Sequence, residues 1–435
     1  MVFLSFLGID WALSMWSILA FVFVGLFLTG CILWIKSIFA TDQICKIYIN
    51  DNDELTKSCR AGTSLLSALT HEGIAIPSPC GGKATCKQCR IRILKGADEP
   101  LETDRSTFPR KQLNIGWRLS CQTKLYHDIS CHIDEALIGV KEFPCRVLSN
   151  RNVATFIKEL AIELPENTEL RYRSGGYVQF HVPPYVTNTD SWKETCDKKY
   201  WEDWEKFGMW GQKIDYHELP RDEIKRAYSM ASYPAEGRRL LFNVRIATPP
   251  LYAGRVAATL PWGICSSYLF SLKAGDTVNI SGAYGESFMI NDSRDLYFLI
   301  GGAGSSFGRS HILQLFRTEK TKRRVAMWYG ARAMRENIYE EEYETLAKEF
   351  PNFSYHLVLS EPLPEDIAAG WPAKDPLKTN FLFRAFELGA LHNMAAPEEA
   401  LYYVCGPPLH NKSVMKLLDD WGVPRDSIVM DSFGI

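Results

Sequence analysis

Three cysteines within ten residues constrain this chain more than any other feature. Cys80, Cys86 and Cys89 stand in the stretch Cys-Gly-Gly-Lys-Ala-Thr-Cys-Lys-Gln-Cys, and Cys121 follows in Arg-Leu-Ser-Cys-Gln. Glycine tolerates the positive φ that a tight wrap requires, so such a loop can turn several sulfurs toward one point. Four thiolates are the ligand set of a [2Fe–2S] cluster. The sequence therefore predicts an iron–sulfur site with these four cysteines as ligands.

A structural zinc site is the main alternative, because four thiolates also suit zinc. Zinc sites usually combine two Cys-x2-Cys pairs, whereas here only Cys86 and Cys89 form such a pair. The plant-type ferredoxin spacing is Cys-x4-Cys-x2-Cys with a distant fourth cysteine. In this chain five residues separate Cys80 from Cys86, so the spacing is close to that pattern without matching it. Unligated cysteines are the third alternative.

Length and charge narrow the function classes. A chain of 435 residues with 46% hydrophobic content has room for two to four domains. A net charge of −2 provides no basic surface, so nucleic acid is not an expected partner. Twelve cysteines spread along so long a chain fit a reducing compartment. Beyond the four ligands, we expect ordinary packing roles for several of them: Cys45, Cys59, Cys131, Cys145 and Cys196.

Residues 1–36 are predicted to form a transmembrane anchor. Trp11 to Ile35 contains no charged residue, and at about 1.5 Å per residue it spans roughly 37 Å, more than a hydrocarbon core of about 30 Å. A secretory signal peptide is the alternative, but its apolar core is only about 7–15 residues and follows positive charge. Residues 1–10 carry no Lys or Arg, whereas Lys36 follows the apolar segment. We therefore expect a single-pass protein of the bacterial inner membrane with its bulk in the cytoplasm.

The rest of the chain divides into three predicted domains. Residues 37–136 combine an alternating strand near Ile44, a short amphipathic helix from Thr63 and the cysteine loop, a layout that resembles the β-grasp ferredoxin fold. Residues 137–290 are rich in short strand-like runs and predict an antiparallel β-barrel. Residues 291–435 alternate strands with helices and predict a doubly wound nucleotide-binding domain.

A segment rich in tryptophan and charge, residues 187–225, interrupts the predicted barrel. Its composition fits a solvated and partly helical insertion, and it equally fits a surface on which a partner protein docks. The sequence leaves both interpretations open.

Two motifs in the predicted barrel indicate a flavin. Arg226-Ala-Tyr228-Ser229 resembles the Arg-x-Tyr-Ser signature of the ferredoxin–NADP reductase superfamily, in which arginine pairs with the FAD pyrophosphate, tyrosine packs on the ring system and serine approaches flavin N5. Thirty-seven residues later, Gly263-Ile-Cys265-Ser266 resembles the superfamily's helix start, where glycine lets the backbone approach a phosphate. Either segment alone would fit an edge strand or a turn. Together, in the expected order, they predict FAD binding.

Two motifs in the last domain indicate a dinucleotide. Gly301, Gly302 and Gly304 form a glycine-rich turn after the first strand, and Cys405-Gly406-Pro407 ends the last central strand. In the superfamily, a Cys-Gly-Pro at this place lies beside the nicotinamide and shapes hydride transfer; a buried strand-end thiol is the alternative. The superfamily usually continues with a proline that opens the helix, whereas this chain has Ser305-Ser306-Phe307-Gly308. We expect these serines to cap the helix instead.

The residue after the third strand of this domain bears on which dinucleotide is used. NADP enzymes of the superfamily tend to place Ser-Arg there, to hold the 2′-phosphate. This chain has Ser360-Glu361, and a carboxylate repels phosphate while accepting hydrogen bonds from ribose hydroxyls. The sequence therefore favours NADH, with Glu361 near the adenosine ribose.

The order of these modules resembles, over essentially the whole length, the family of F subunits of bacterial Na+-translocating NADH:quinone reductases. The five-residue gap in the cysteine loop, Ala247-Thr-Pro-Pro and Trp328-Tyr-Gly-Ala-Arg fit that family. The resemblance implies that Phe433 covers the flavin, with Cys405 and Ser229 beside the reacting atoms. It further implies that electrons pass from NADH through FAD and the cluster to a partner subunit of a membrane quinone reductase complex, and ultimately to quinone.

Two other functions share part of this pattern. The reductase component of an iron-dependent oxygenase system has the same three modules, but it is soluble and normally has the shorter cysteine spacing. A non-enzymatic, anchored iron–sulfur carrier would not need the intact flavin and nicotinamide motifs, which include Ser229 and Cys405.

Overall fold

The computed structural model describes residues 11–39, 43–74, 76–78, 80–134, 142–219, 224–257 and 260–431. Two compact units are present: residues 1–72 with 91–134, and residues 73–90 with 135–435. The cysteine loop that holds Cys80, Cys86 and Cys89 therefore belongs to the second unit, while Cys121 belongs to the first.

The first unit begins with helix α1, Trp11–Phe39, which is 29 residues long. Side chains of this helix are described for residues 15–31, and nearly all of them are exposed, including Trp16, Phe21 and Leu26. Across the described residues, no helix meets the combined length and apolarity needed to cross a membrane.

The remainder of the first unit is a mixed five-stranded sheet with three short helices. In β1, the buried side chains of Cys45, Ile47 and Ile49 recur with the period of two expected for a strand that has one face in the core. Helix α2 starts where the Ser64 hydroxyl accepts a hydrogen bond from the Ser67 N–H at 3.2 Å. The elements are β1 (Ile44–Ile49), β2 (Asn52–Arg60), α2 (Leu65–His71), β3 (Arg90–Lys95), α3 (Glu102–Arg105), α4 (Arg110–Asn114), β4 (Trp117–Leu119) and β5 (Ile129–His132). The strands lie in the order β2-β1-β5-β3-β4.

The second unit contains a six-stranded antiparallel sheet, which is called the six-stranded sheet from here on. Its strands lie in the order β11-β8-β15-β6-β7-β12. Its edges approach each other, because Met230 after β11 forms an antiparallel bridge with Phe242 of β12. The elements of this region are β6 (Glu142–Ala154), β7 (Ile157–Glu163), β8 (Tyr177–Val182), β9 (Tyr185–Asn188), α5 (Trp201–Lys206), β10 (Lys213–Tyr216), β11 (Ile224–Ser229), β12 (Arg239–Arg245), β13 (Leu251–Tyr252), β14 (Arg255–Val256), α6 (Ile264–Ser271) and β15 (Thr277–Tyr284).

The tryptophan-rich segment contributes to the hydrophobic core of this region. Trp192 and Trp204 are 2% and 1% exposed. The indole N–H of Trp204 donates to the Thr155 carbonyl at 2.7 Å, and its ring stacks on that of Trp210 at 4.7 Å between centroids. A large apolar ring with its one polar group satisfied is stable in a core. The prediction of a solvated segment is therefore wrong for Trp192 and Trp204, and these two side chains are not part of an exposed docking surface.

The chain ends in a five-stranded parallel sheet with the order β18-β17-β16-β19-β20. Its central strand β16 is buried along almost its whole length, as expected for a strand covered on both faces. The elements are β16 (Leu296–Gly301), α7 (Ser305–Leu313), β17 (Val325–Ala331), α8 (Glu340–Glu349), β18 (Phe353–Leu359), α9 (Pro364–Ala368), α10 (Leu382–Gly389), β19 (Leu401–Cys405), α11 (Pro408–Asp420) and β20 (Ile428–Asp431). The strand and helix alternation predicted for this part of the chain is present.

Candidate functional site

The glycine-rich turn and the cysteine strand end lie against each other at the carboxyl edge of the parallel sheet. Cys405 ends β19 and is paired in register with Ile300 of β16, one residue before the turn. A Cβ placed on Gly304 would overlap the Cys405 carbonyl oxygen, so only glycine allows this approach. Gly302 has a φ of +55°, which also favours glycine. Ligands of open α/β sheets bind at this edge, so the two motifs are placed as the sequence predicted.

Gly406 and Gly301, which adjoin this edge of the sheet, are also closely packed. A Cβ on Gly406 would lie 2.5 Å from the Cδ2 atom of His410, and one on Gly301 would contact the Pro407 ring at 3.4 Å. Space beside the turn is therefore limited on both sides of Cys405.

Asp431 is a site residue that the sequence did not single out. The Ser229 hydroxyl donates to its Oδ2 atom at 2.8 Å, joining the end of β11 to the end of β20. Asp431 is also the register partner of Cys405 in the parallel sheet. Ser229, Asp431 and Cys405 thus converge although they are far apart in the chain. The only sequence signal was the position of Asp431 two residues before Phe433.

Cys405 is fully buried, and burial, together with the nearby Asp431 carboxylate, raises the pKa of its thiol well above the usual value. The thiol therefore stays protonated at neutral pH. It is a small, polarisable group that neither takes nor gives a proton in this pH range.

The serines of the Ser-Ser-Phe-Gly departure do not cap helix α7. The helix has no side-chain cap, and both hydroxyls face the six-stranded sheet. The Ser306 hydroxyl accepts from the Asn243 N–H at 3.0 Å, and the Asn243 side-chain amide donates to the Ser305 hydroxyl at 2.8 Å. Tyr339 then donates to the Asn243 Oδ1 atom at 3.0 Å. The expectation of helix capping is wrong, because these serines fasten the glycine turn to strand β12.

The flavin motifs lie close together, one on strand β11 of the six-stranded sheet and the other at the start of helix α6. The Tyr228 side chain is half-buried, and this burial, followed by the neighbouring Cys265 thiol, raises the pKa of its hydroxyl well above the usual value. Gly263 precedes helix α6, and a Cβ there would lie 2.6 Å from the Cβ of Ala247. Gly263 therefore lacks a side chain because Ala247 packs against it. The first N–H groups of a helix have no acceptor within it and suit a phosphate.

Two predicted FAD contacts already have protein partners. The Ser266 hydroxyl accepts from the Ala247 N–H at 3.1 Å and donates to the Gly263 carbonyl at 3.2 Å. It therefore fixes the loop that faces α6, and its predicted contact with a phosphate stays a prediction. The Arg226 guanidinium donates to the Lys225 carbonyl at 2.7 Å.

The cysteine loop has the backbone that a sulfur-lined wrap requires. Gly81, Gly82, Ala84 and Lys87 all have positive φ, two of them despite carrying side chains. The Cys86 thiol donates to the Cys80 sulfur at 3.2 Å, which lowers the pKa of Cys80 and raises that of Cys86. None of the twelve cysteines, all of which lie in the described ranges, forms a disulfide. The donor set and backbone fit a thiolate-bound cluster.

Cys121 follows β4 in the first unit and is 7% exposed. The Gln122 side-chain amide donates to its sulfur at 3.4 Å, a type of contact that tunes iron–sulfur centres. Within the described part of the chain, no three His, Cys, Asp or Glu side chains are arranged to hold a metal ion. The assignment of Cys80, Cys86, Cys89 and Cys121 as one ligand set stays a prediction.

Glu361 and Phe433 are the two remaining predicted site residues. Glu361 is exposed just beyond β18, where its N–H donates to the Arg332 carbonyl at 2.8 Å. It lies at the carboxyl edge, as a ribose contact would require. Phe433 lies outside the described residues.

Sequence comparison places the chain among the F subunits of Na(+)-translocating NADH-quinone reductases. It is 58% identical over 416 residues to the F subunit of this reductase from Chlamydia pneumoniae, covering 96% of each chain. The F subunit of Chlamydia trachomatis serovar D is 55% identical over 98% of this chain and 99% of its own. That of Neisseria gonorrhoeae is 42% identical over 96% and 98%. This chain belongs to the F-subunit family.

Two domain models match parts of the chain, and solved structures share its fold. A 2Fe-2S iron-sulfur cluster binding domain matches residues 47–126, and an oxidoreductase NAD-binding domain matches residues 298–415. The fold is similar to that of Amycolatopsis cytochrome P450 reductase GcoB, with a TM-score of 0.59, 18% identity, and 89% of this chain and 98% of that chain covered. It is also similar to the ferredoxin reductase in carbazole 1,9a-dioxygenase, with a TM-score of 0.54, 19% identity, and 90% and 98% covered.

These findings confirm the family resemblance drawn from the motifs, and they confirm a multidomain ferredoxin-reductase architecture with [2Fe–2S], FAD and NADH as cofactors. The match of the cluster-binding domain spans all four predicted cysteine ligands.

Proposed function

We propose that this chain is the NADH-oxidising subunit of a membrane-bound, sodium-translocating NADH:quinone reductase. The proposal depends on the convergence of Ser229, Asp431 and Cys405, which joins a flavin-signature strand to the ligand edge of an NAD-binding sheet. When bound, FAD accepts a hydride from NADH and releases electrons singly, and the [2Fe–2S] cluster carries single electrons onward.

Four side chains orient the hydride-transfer step. The Cys405 thiol at the end of β19 would lie beside the nicotinamide and limit how far that ring withdraws from the flavin. The Ser229 hydroxyl donates its proton to Asp431, so its oxygen is left to accept a hydrogen bond, which would suit the N5–H of a reduced flavin. Orientation of this kind can supply much of a rate enhancement, because a displacement of about 1 Å can cost roughly 100-fold. Phe433, close to the end of the chain, is proposed to cover the flavin.

The cofactors are held by separate elements. The Arg226 guanidinium and the start of α6 at Gly263 supply the positive charge and N–H donors for the FAD pyrophosphate. The turn from Gly301 to Gly304 leads into helix α7, whose first N–H groups would suit the NADH pyrophosphate, and Glu361 would accept hydrogen bonds from ribose hydroxyls. The cluster ligands are Cys80, Cys86, Cys89 and Cys121.

We further propose three architectural features that follow from the sequence. The apolar run from Trp11 to Ile35 is a single-pass anchor in the inner membrane, with the bulk of the chain in the cytoplasm. The six-stranded sheet closes into an FAD-binding barrel through the bridge between Met230 and Phe242. The next electron carrier is in another subunit of the complex.

The deciding experiment is purification of the full chain with its neighbouring subunits in detergent, followed by NADH-dependent quinone reduction with and without sodium. We expect FAD and iron in the preparation, flavin bleaching by NADH, and quinone reduction that sodium stimulates. A preparation that contains zinc, shows no iron–sulfur EPR signal on reduction and leaves the flavin oxidised by NADH would overturn the proposal.

A further inference from the structure

Tyr177 lies between the flavin strand and the cysteine loop. It begins β8, and its register partner on one side is Ser229, the last residue of the flavin signature. On the other side it faces Tyr284 of β15, with the two rings 5.5 Å apart. Tyr177 is 6% exposed, so its hydroxyl needs a partner inside the protein.

That partner is in the cysteine loop. The Tyr177 hydroxyl donates to the Oε1 atom of Gln88 at 3.0 Å. Gln88 stands between Cys86 and Cys89, two of the predicted ligands. Burial is the main cause of the raised pKa of Tyr177, and Glu286, Cys86, Tyr284 and Asp431 contribute in turn. Groups from the loop and from the flavin side therefore both lie near this ring.

A second contact lies close to the first. A Cβ placed on Gly81 would overlap the Arg226 guanidinium, so the loop backbone next to Cys80 lies directly against the flavin-signature arginine. Arg226 and Tyr228 flank Ala227 on β11, which pairs with β8. The loop thus contacts the six-stranded sheet at two points, and both adjoin residues predicted to bind FAD.

We propose that Tyr177 is a positioning residue for electron transfer from FAD to the [2Fe–2S] cluster: its hydrogen bond to Gln88 holds the cysteine loop against the strand that carries Ser229. This inference rests on the proposed function. In each transfer the reduced flavin loses one electron and the oxidised cluster gains one. No bond in the chain forms or breaks, and Tyr177 itself is not oxidised.

The test compares Tyr177→Phe with Tyr284→Phe in the full-length protein loaded with both cofactors. Each change removes one buried tyrosine hydroxyl, but only the first removes the bond to the loop. A neutral hydrogen bond shifts an equilibrium by about 2- to 12-fold. We therefore expect hydrogen exchange in residues 80–89 of the oxidised protein to rise by that factor in Tyr177→Phe, with Tyr284→Phe near wild type.

Anaerobic stopped-flow mixing with NADH gives the second readout. We expect flavin bleaching at the wild-type rate in both variants. Cluster reduction should be slower in Tyr177→Phe alone, by at most about 12-fold, because the held fraction of the loop falls by no more than the equilibrium shifts. Unchanged exchange and unchanged cluster reduction in Tyr177→Phe would overturn the inference, and so would equal effects of the two variants.

Gln88→Met supplies the reciprocal change. It should reproduce the exchange effect of Tyr177→Phe, with iron content measured to check that the cluster is present. Hydrogen exchange in the double variant should be little faster than in either single variant. Additive effects would show that the two side chains act independently and would also overturn the inference. Failure of the proposed function is distinguishable, because the wild-type flavin would then not be bleached by NADH, while exchange in the oxidised protein would still report on the Tyr177 contact.

Discussion

Replacement of Arg309 by methionine should test how strongly this side chain fastens the NADH-binding domain to the region of the six-stranded sheet. Arg309 follows the Ser-Ser-Phe-Gly departure on α7, and its side chain is 8% exposed. Its guanidinium makes five hydrogen bonds: two to Glu236, two to Glu342 and one to the Ala231 carbonyl at 2.9 Å. Ala231 and Glu236 follow β11, whereas Glu342 lies on α8, so this one side chain connects the two regions.

The magnitude follows from the burial of the partners. Removing one member of a buried ion pair costs about 3–5 kcal/mol, because the other charge is left without compensation. The carboxylates of Glu236 and Glu342 are 23% and 30% exposed, so water can partly replace the lost guanidinium. We therefore take the lower end, about 3 kcal/mol. At roughly 2 °C per kcal/mol for a domain of this size, the Tm should fall by about 6 °C.

Arg317→Met is the matched control. Arg317 pairs with Glu349, but these side chains are 36% and 42% exposed. An exposed pair contributes about 0–1 kcal/mol, so its Tm should change by less than about 2 °C. Thermal unfolding of the FAD-loaded proteins measures both, and stopped-flow flavin bleaching shows whether Arg309→Met also slows hydride transfer. Equal Tm values for the two variants would refute the assignment of Arg309 as the main buried link.

Three further outcomes are expected. Cys405→Ala should keep both cofactors bound yet slow NADH-to-flavin transfer by about 10- to 100-fold, since the nicotinamide loses its contact; a wild-type bleaching rate would make Cys405 a packing residue only. Glu361→Arg should shift the ratio of kcat/KM values toward NADPH by about 1–3 kcal/mol, and an unchanged ratio would place Glu361 away from the ribose. Burial lowers the pKa of His311 to about 3, so the folded protein binds fewer protons than the unfolded chain below pH of about 6.5. Its stability should fall on acidification, and between pH 7 and 5 the wild type should lose about 2 kcal/mol more than His311→Gln in urea unfolding; parallel curves would contradict this.

Much of the site could be predicted from the sequence because the residues of each motif lie within a few positions of one another. The cysteine loop needs its glycines and thiolates within ten residues, and the position of Gly302 favours glycine because its φ is +55°. Continuous apolar runs such as β19 predict buried parallel strands in the same way. Each of these constraints acts through the local backbone, and a local constraint leaves a local pattern.

Only the tertiary structure decided which residues the other site and core side chains contact. Ser229 and Asp431 are 202 positions apart, and Asn243 and Ser305 are 62 apart, so no spacing rule connects them. The same holds for Trp204, whose charge-rich surroundings in the sequence suggested solvent but whose indole N–H meets the Thr155 carbonyl in the core. A polar or aromatic side chain contributes according to what satisfies or covers it. In this protein, folding brings these partners together from distant strands and helices. The sequence pattern does not show which of them will be in contact.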